Sequence, residues 1–187
     1  MTQFGFYFDQ ARCIGCHTCA VACKDWNNVD AGSVNWMRVN EILKGKFPNL
    51  KMVYLSIACN HCSNPPCIKV CPANAIIKRE SDGIVLVNQD ACIGYEVCGA
   101  KCLKACPWDA PQFANLKKAK MEKCNLCYDR LEKGQQPICV EACPMYAIDV
   151  GPIEKLKEKY KYSNEAEGFL YNNRVDPSII FKSKKIS

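Results

Sequence analysis

The sequence predicts an α+β protein built from two small modules of one kind, with inserted hairpins and a C-terminal arm. Three observations carry this. Sixteen cysteines among 187 residues fall into four groups of four, with none left over. Short apolar runs of strand length lie between the groups, bounded by glycine, proline and asparagine. Ten glycines and ten prolines interrupt the rest. A large hydrophobic core is therefore not expected, and a chain of this composition needs covalent or metal staples.

Taken in order, Phe4 to Phe8 is an aromatic run of strand length, and Asp9 to Arg12 lead into the first cysteines. Thr18 to Trp26 mixes small and apolar residues and predicts a short helix carrying Cys19 and Cys23 on one face, since i and i+4 lie together. Asn27 to Ser33 is a polar loop. Trp36–Leu43 and Met52–Ile57 read as a hairpin that delivers the chain to Cys59. The runs 75–80 and 83–87 flank Ser81-Asp82-Gly83 and predict a second hairpin. Ala110–Ala114 and Lys120–Lys123 flank a basic turn and pair in the same way. Ile153, Leu156 and Tyr160 fall at i, i+3 and i+7, which gives a short amphipathic helix. The remainder, Glu167 to Ser187, is apolar in places without a period, and is expected to be an extended arm lying on a partner subunit. Deletion of 165–187 would then weaken assembly and leave bound iron intact.

The cysteine spacings decide between staples. The first group is Cys13-x2-Cys16-x2-Cys19-x3-Cys23 and the second is Cys59-x2-Cys62-x4-Cys67-x3-Cys71. The third is Cys92-x5-Cys98-x3-Cys102-x3-Cys106 and the fourth Cys124-x2-Cys127-x11-Cys139-x3-Cys143. Disulfides are disfavoured: residues 1–13 lack the basic start, apolar run and cleavage site of a secretory signal, and cysteines two residues apart bridge poorly. Zinc takes C-x2-C pairs. A run of x2, x2 and x3, however, supplies three ligands to one centre and one to another. That is the bacterial ferredoxin run, in which three thiolates hold a 4Fe-4S cube and the fourth belongs to a second cube. Proline follows Cys71, Cys106 and Cys143, and Lys24 follows Cys23. Proline fixes φ and offers no N–H, which helps the chain leave the site. Four groups imply four 4Fe-4S clusters, held through all sixteen cysteines, in ferredoxin-like modules.

The order of the groups, the x2, x4, x3 second group and the widely split fourth group resemble the four-cluster electron-transfer subunits of the dimethyl sulfoxide reductase family of molybdenum and tungsten oxidoreductases. The likeness runs from residue 4 to about 150. It implies that the outer groups pair with each other and the inner groups likewise. Cluster one would take Cys13, Cys16, Cys19 and Cys143; cluster two Cys23, Cys124, Cys127 and Cys139. Cluster three would take Cys59, Cys62, Cys67 and Cys106; cluster four Cys71, Cys92, Cys98 and Cys102. It further implies two modules related by a pseudo-twofold repeat: an outer one of residues 1–35 plus 111–150, an inner one of 36–110, and a helix and arm over 151–187. The four cubes would form a wire from a molybdopterin-containing catalytic subunit at the outer end to a membrane-anchored, quinone-reactive subunit at the inner end. The chain would then be a peripheral subunit of a membrane-associated complex, or cytoplasmic, with the side of the membrane open.

The third group departs from the family spacing of x2, x2 and x3. Read from Cys106-Pro107 backwards, its front has stretched by four residues. Read from Cys92 forwards, Tyr95 stands in a ligand position and Cys106 is surplus, which would leave a three-iron cluster or an oxygen-ligated iron. The first register is favoured, because a longer loop costs little entropy compared with a lost thiolate. Gly94, Tyr95 and Gly99 are then residues of the stretched loop.

The formal charge of +6 counts cysteines as neutral. Four oxidised cubes with their thiolates would add roughly −8, so the basicity largely offsets buried anions and does not point to nucleic acid. Lys117, Lys118, Lys120 and Lys123 read as a solvated or cluster-facing turn. His17 and His61 adjoin ligands without being needed as ligands, and Trp26, Trp36 and Trp108 read as packing. Ile14, Gly15, Asn60 and Asn125 lie where backbone N–H groups could reach the sulfurs. No run of about 18 apolar residues spans a membrane. No nucleophile–base pair, phosphate loop or pterin site stands out, so the chain is expected to move electrons without a catalytic site of its own. A polyferredoxin of a hydrogenase or formate-oxidising complex is the alternative.

Overall fold

The computed structural model describes residues 2–115 and 118–185. Its elements are β1 (Phe4–Asp9), α1 (Thr18–Trp26), β2 (Arg38–Lys44), β3 (Lys51–Ile57), α2 (Pro66–Lys69), β4 (Ile76–Lys78), β5 (Val85–Val87), α3 (Tyr95–Cys98), α4 (Lys101–Ala105), α5 (Tyr128–Leu131), α6 (Ile138–Glu141), β6 (Ile148–Pro152), α7 (Ile153–Lys159) and β7 (Ile179–Lys182). The fold is α+β with short helices, and loops carry most of the cysteines.

β1 is the centre of a three-stranded sheet in the order β6-β1-β7. It runs antiparallel to β6, with Phe6 opposite Val150, and parallel to β7, with Phe8 opposite Phe181. Successive side chains of a strand face opposite ways, and here both faces are covered. Phe6 and Phe8 enter the main core, whereas Tyr7 lies with Ile180 beneath Ile153 and Leu156 of α7. The Tyr7 and Tyr160 rings stack at 3.7 Å. This sheet is why α7 has an apolar stripe, and why a strand of continuous aromatic sequence does not alternate.

The C-terminal segment differs from the expected arm. β7 completes the sheet, Phe181 is fully buried, and its ring lies 4.7 Å from that of Phe169. Phe169 in turn stacks on Trp108 at 5.3 Å. Phe169, Val175, Ile179, Ile180 and Phe181 of the tail are buried within this protein itself. Four residues of strand are too few to display a period of two. The strand that receives them lies at the other end of the sequence.

The β2–β3 hairpin pairs in register from Arg38 opposite Ile57 to Lys44 opposite Lys51. Although 36–57 was expected with the inner module, Val39 and Ser56 line the same pocket as Cys13, Cys16, Cys19 and Cys143. β4 and β5 form the second hairpin, its turn fixed by the Ile84 N–H donating to Asp82 Oδ1 at 3.0 Å and by Gly83 at φ 71. Between 110–114 and 120–123 a single bridge forms, Gln112 with Glu122, where two strands were expected. Lys117 lies outside the described residues.

One main core joins these parts. Phe6, Phe8, Met37, Leu55, Ile84, Leu126, Ile148 and Phe181 pack together with Cys19, Cys23, Cys59, Cys124, Cys139 and Cys143. It therefore crosses the sequence boundaries drawn at 35/36 and 110/111. Among the described residues, no helix is long and apolar enough to cross a membrane.

Candidate metal centres

The loop after β1 is set by Asp9, whose Oδ1 accepts the N–H groups of Ala11 and Arg12 at 3.0 and 3.3 Å. Gly15 adopts φ 70, and a Cβ there would come within 2.3 Å of the Tyr54 ring. Only glycine fits where the backbone passes this close. Cys13, Cys16, Cys19 and Cys143 surround one pocket, walled by Phe8, Val39 and Ser56. Ser56 Oγ lies 3.5 Å from Cys19 Sγ, and Thr18 Oγ1 donates to Cys16 Sγ at 3.3 Å. The Thr18 hydroxyl and N–H draw the exposed Cys16 thiol below its usual range.

Cys23, one turn further along α1, faces a second group with Cys124, Cys127 and Cys139. Burial pushes the Cys23 thiol up to about 12, with the nearby Cys127 second among the causes. Complete burial also holds the Cys124 and Cys139 thiols well above their usual range. The eleven residues between Cys127 and Cys139 are folded tight by Arg130. Its Nε donates to Gln136 O at 2.7 Å, its guanidinium pairs with Glu141 at 2.5 Å, and it lies 4.4 Å over the Trp26 ring.

Cys59, Cys62, Cys67 and Cys106 form a third group. Burial is the main cause of the raised thiols of Cys62, Cys67 and Cys106, to about 12 at Cys67. Between its first two members sit Asn60 and His61, both buried. Among the described residues, Asn60 Nδ2 and Oδ1 and His61 Nε2 have no hydrogen-bond partner. His61 Nδ1 accepts the Val85 N–H at 3.0 Å, which leaves the proton on Nε2. Burial and the charges of Lys123 and Lys78 hold this imidazole neutral. Buried orphan donors are costly. They fit a site that receives an anionic, sulfur-rich group.

Cys71, Cys92, Cys98 and Cys102 line the fourth pocket, whose walls are Ile76, Val87, Phe113 and Met121. The stretched loop is accommodated as two short helices, α3 and α4, separated by Gly99 at φ 62 and Ala100 at φ 50. Cys98 Sγ donates to Gly94 O at 3.1 Å. Tyr95 points elsewhere: its ring is half exposed and meets the edge of Phe113 at 5.6 Å. Cys106 sits with the third group.

A recurring device serves the fourth cysteine of three groups. In Cys71-Pro72-Ala73-Asn74-Ala75, Cys106-Pro107-Trp108-Asp109-Ala110 and Cys143-Pro144-Met145-Tyr146-Ala147, the residue before the alanine is left-handed, at φ 48, 50 and 49. That twist turns the alanine N–H onto the cysteine Sγ, at 3.3, 3.4 and 3.3 Å. The threefold run of cysteine, proline, two further positions and alanine was readable in the sequence as the sign of it. Cys23, which lacks the proline, is approached instead by the Asn27 side-chain amide at 3.7 Å. Of the donors expected from loop position, the Gly15 N–H reaches Cys13. Asn125 uses its side chain to accept the Cys127 N–H at 2.8 Å.

Each group adjoins the next. Cys19 of the first is within electrostatic reach of Cys23 and Cys139 of the second, Cys124 of the second of Cys59 of the third, and Cys67 of the third of Cys102 of the fourth. The middle groups are buried except for Cys106, whereas Cys16 is exposed and Cys71, Cys92 and Cys98 are half-buried. Exposed apolar side chains lie at both ends: Ile14 lines the first group's pocket and Ile93 the fourth group's, and Val21, Tyr146, Ile77 and Val97 are exposed within a few residues of their cysteines. Among the described residues no three histidine, cysteine or acidic side chains converge on a single-ion site. The thiols of the first and fourth groups surround pockets instead, a donor arrangement that suits a polynuclear sulfide-bridged group.

Comparison with known proteins agrees with this chemistry. Residues 12–75 and 50–153 each match a family described as a 4Fe-4S dicluster domain. The B subunit of the anaerobic dimethyl sulfoxide reductase of Haemophilus influenzae is 41% identical over 194 residues, covering 99% of this sequence and 91% of that protein. Its counterpart of the same name in Escherichia coli is 46% identical over 167 residues, covering 85% and 78%. The chlorate reductase subunit beta of Ideonella dechloratans is 35% identical over 239 residues, covering 85% and 71%.

Proposed function

The protein belongs to the 4Fe-4S dicluster family and, within it, to the group of the dimethyl sulfoxide reductase B subunits, and from that premise we propose that it is the electron-transfer subunit of a molybdopterin-dependent reductase. Its ligand sets are the four groups described above, taken in the register that leaves Tyr95 free. The observation that carries the reading is the succession of four adjoining thiol groups, buried in the middle and reaching the surface at both ends. When bound, 4Fe-4S clusters supply one-electron redox chemistry at reachable potentials.

The protein's own residues do the rest. Cys19, Cys23 and Cys59 each belong to one group while adjoining the next, and so keep neighbouring sites close. Phe8, Leu126, Ile84 and Met121 exclude water around them. The alanine N–H groups and Asn27 lower the charge that each thiolate presents. The cysteine–proline run ending in Ala-Ile leads into a strand twice, at β4 and at β6, which supports two repeated dicluster modules.

The first-group rim, with Cys16 at its centre, is the docking face for the catalytic subunit. The fourth-group rim faces the second redox partner, a membrane-anchored quinone-reactive subunit, which makes this a peripheral subunit. No catalytic step falls to this subunit. The test is anaerobic purification with iron and acid-labile sulfide assays and EPR at graded potentials. About sixteen irons per molecule and four 4Fe-4S signals are expected for four full sites. A stable, folded protein with two clusters or with zinc would overturn the assignment.

A further inference from the structure

Among the described lysines of the basic segment, Lys123 is set apart by burial: it is 2% exposed. Its Nζ donates to Cys124 O at 3.0 Å and to Val85 O. Among the described residues no carboxylate is paired with it. A buried charge without a counter-charge is strongly disfavoured, so this ammonium needs an anion in its surroundings. The groups near it are thiols. Cys124 is its neighbour in sequence and belongs to the second group, while Cys67 of the third group lies within electrostatic reach. Val85 ties the position down from both sides, since its O accepts from Lys123 and its N–H donates to His61 Nδ1 at 3.0 Å.

We propose that Lys123 is the internal counter-charge of the two middle cluster sites and raises their reduction potentials relative to the two end sites. This rests on the four-cluster reading above. A fixed positive charge favours the more negative, reduced state of any group beside it. In a poorly hydrated interior such a charge acts over several ångströms with little screening. The residues that Lys123 Nζ touches, Val85 and Cys124, and the thiol that its charge reaches, Cys67, belong to neither the first group nor the fourth. Lys123 is therefore a positioning and tuning residue, which biases electrons onto the two middle sites.

The experiment compares wild type, Lys123→Met, Lys123→Gln and Lys123→Arg as holoprotein, by iron content and potentiometric EPR titration. Wild-type iron content tests the four-cluster reading on its own, before any variant is considered. Lys123→Met is expected to keep its iron and to shift the reduction equilibrium of two of the four clusters on the order of tenfold toward the oxidised form, about 59 mV for one electron. The two others should stay put, and Lys123→Arg should restore the wild-type pattern. Lys123→Gln keeps a donor for Val85 O and Cys124 O, so a shift there separates lost charge from lost hydrogen bonds. If neither neutral variant retains iron while Lys123→Arg does, the charge is required to hold the middle clusters, which also supports the proposal. Full iron with unshifted potentials, an equal shift of all four clusters, or loss of iron in Lys123→Arg as well as in the neutral variants would overturn it.

Discussion

Truncating Phe181 to alanine tests whether the C-terminal segment belongs to this protein's core or to a partner. The side chain is fully buried, opposite Phe8 in the β1–β7 pairing and 4.7 Å from the Phe169 ring. Alanine leaves the backbone ladder intact and removes the ring, so the loss is one of packing alone. A buried phenylalanine cut back to alanine costs about 3–5 kcal/mol, since the lost transfer energy adds to a cavity that neighbours fill only in part. Against a total stability of roughly 5–15 kcal/mol that is a large fraction. Leu170 is the control: it is 86% exposed in the same segment, and Leu170→Ala should lie within about 0.5 kcal/mol of wild type. The assay is an anaerobic urea series at fixed incubation, following visible absorbance for cluster loss and far-ultraviolet circular dichroism for the fold. With a slope of about 2–3 kcal/mol per molar, the Phe181→Ala midpoint should fall by about 1–2.5 M. Bound iron should fall with it, because Phe181 shares its core with Cys19, Cys23 and Cys143. Identical midpoints and iron contents for the two variants, together with weaker subunit assembly in Phe181→Ala, would refute the reasoning and restore the partner arm.

Tyr95→Phe should leave iron content and EPR spectra unchanged, whereas Cys98→Ala should lose or convert one cluster; the reverse pattern would reinstate Tyr95 as a ligand. Asn27→Leu removes the amide that approaches Cys23 Sγ, and should lower the potential of one cluster while the other three hold, as read by redox titration. Stripping iron with an anaerobic chelator should abolish cooperative unfolding, because ten of the sixteen thiols are buried and Asn60 and His61 lose the group that would satisfy them. A cooperative urea transition in the iron-free protein would show that the core stands without its staples.

Much of the local structure was legible. The helix over Thr18–Trp26, both hairpins and the amphipathic stripe of α7 follow from periods and turn residues that act over a few neighbours. The segments 110–114 and 120–123 meet more sparingly than their composition suggests, since only Gln112 and Glu122 bridge there. The alanine that follows each cysteine–proline pair is present three times in the sequence. Its role is hidden there, because the bond runs from a backbone N–H that every residue but proline owns, and only the left-handed residue before it aims that N–H at sulfur.

By itself the sequence determined the kind of chemistry: sixteen cysteines at cluster spacings, in four runs, on a chain too interrupted for an ordinary core. Spacing acts through covalent reach, so it is readable along the chain. Which cysteines meet is different. Cys19 and Cys143, or Cys67 and Cys106, come together only through the folding of everything between them, and the family resemblance was needed to anticipate it. Tertiary structure alone decided that the tail closes the β1 sheet, that Tyr95 turns away from the pocket of the fourth group, and that Lys123, on a turn read as solvated or cluster-facing, is buried with its Nζ on Cys124 O. Each of these is set by burial and charge contributed from distant parts of the sequence, and such contributions leave no periodic mark on the segment that receives them.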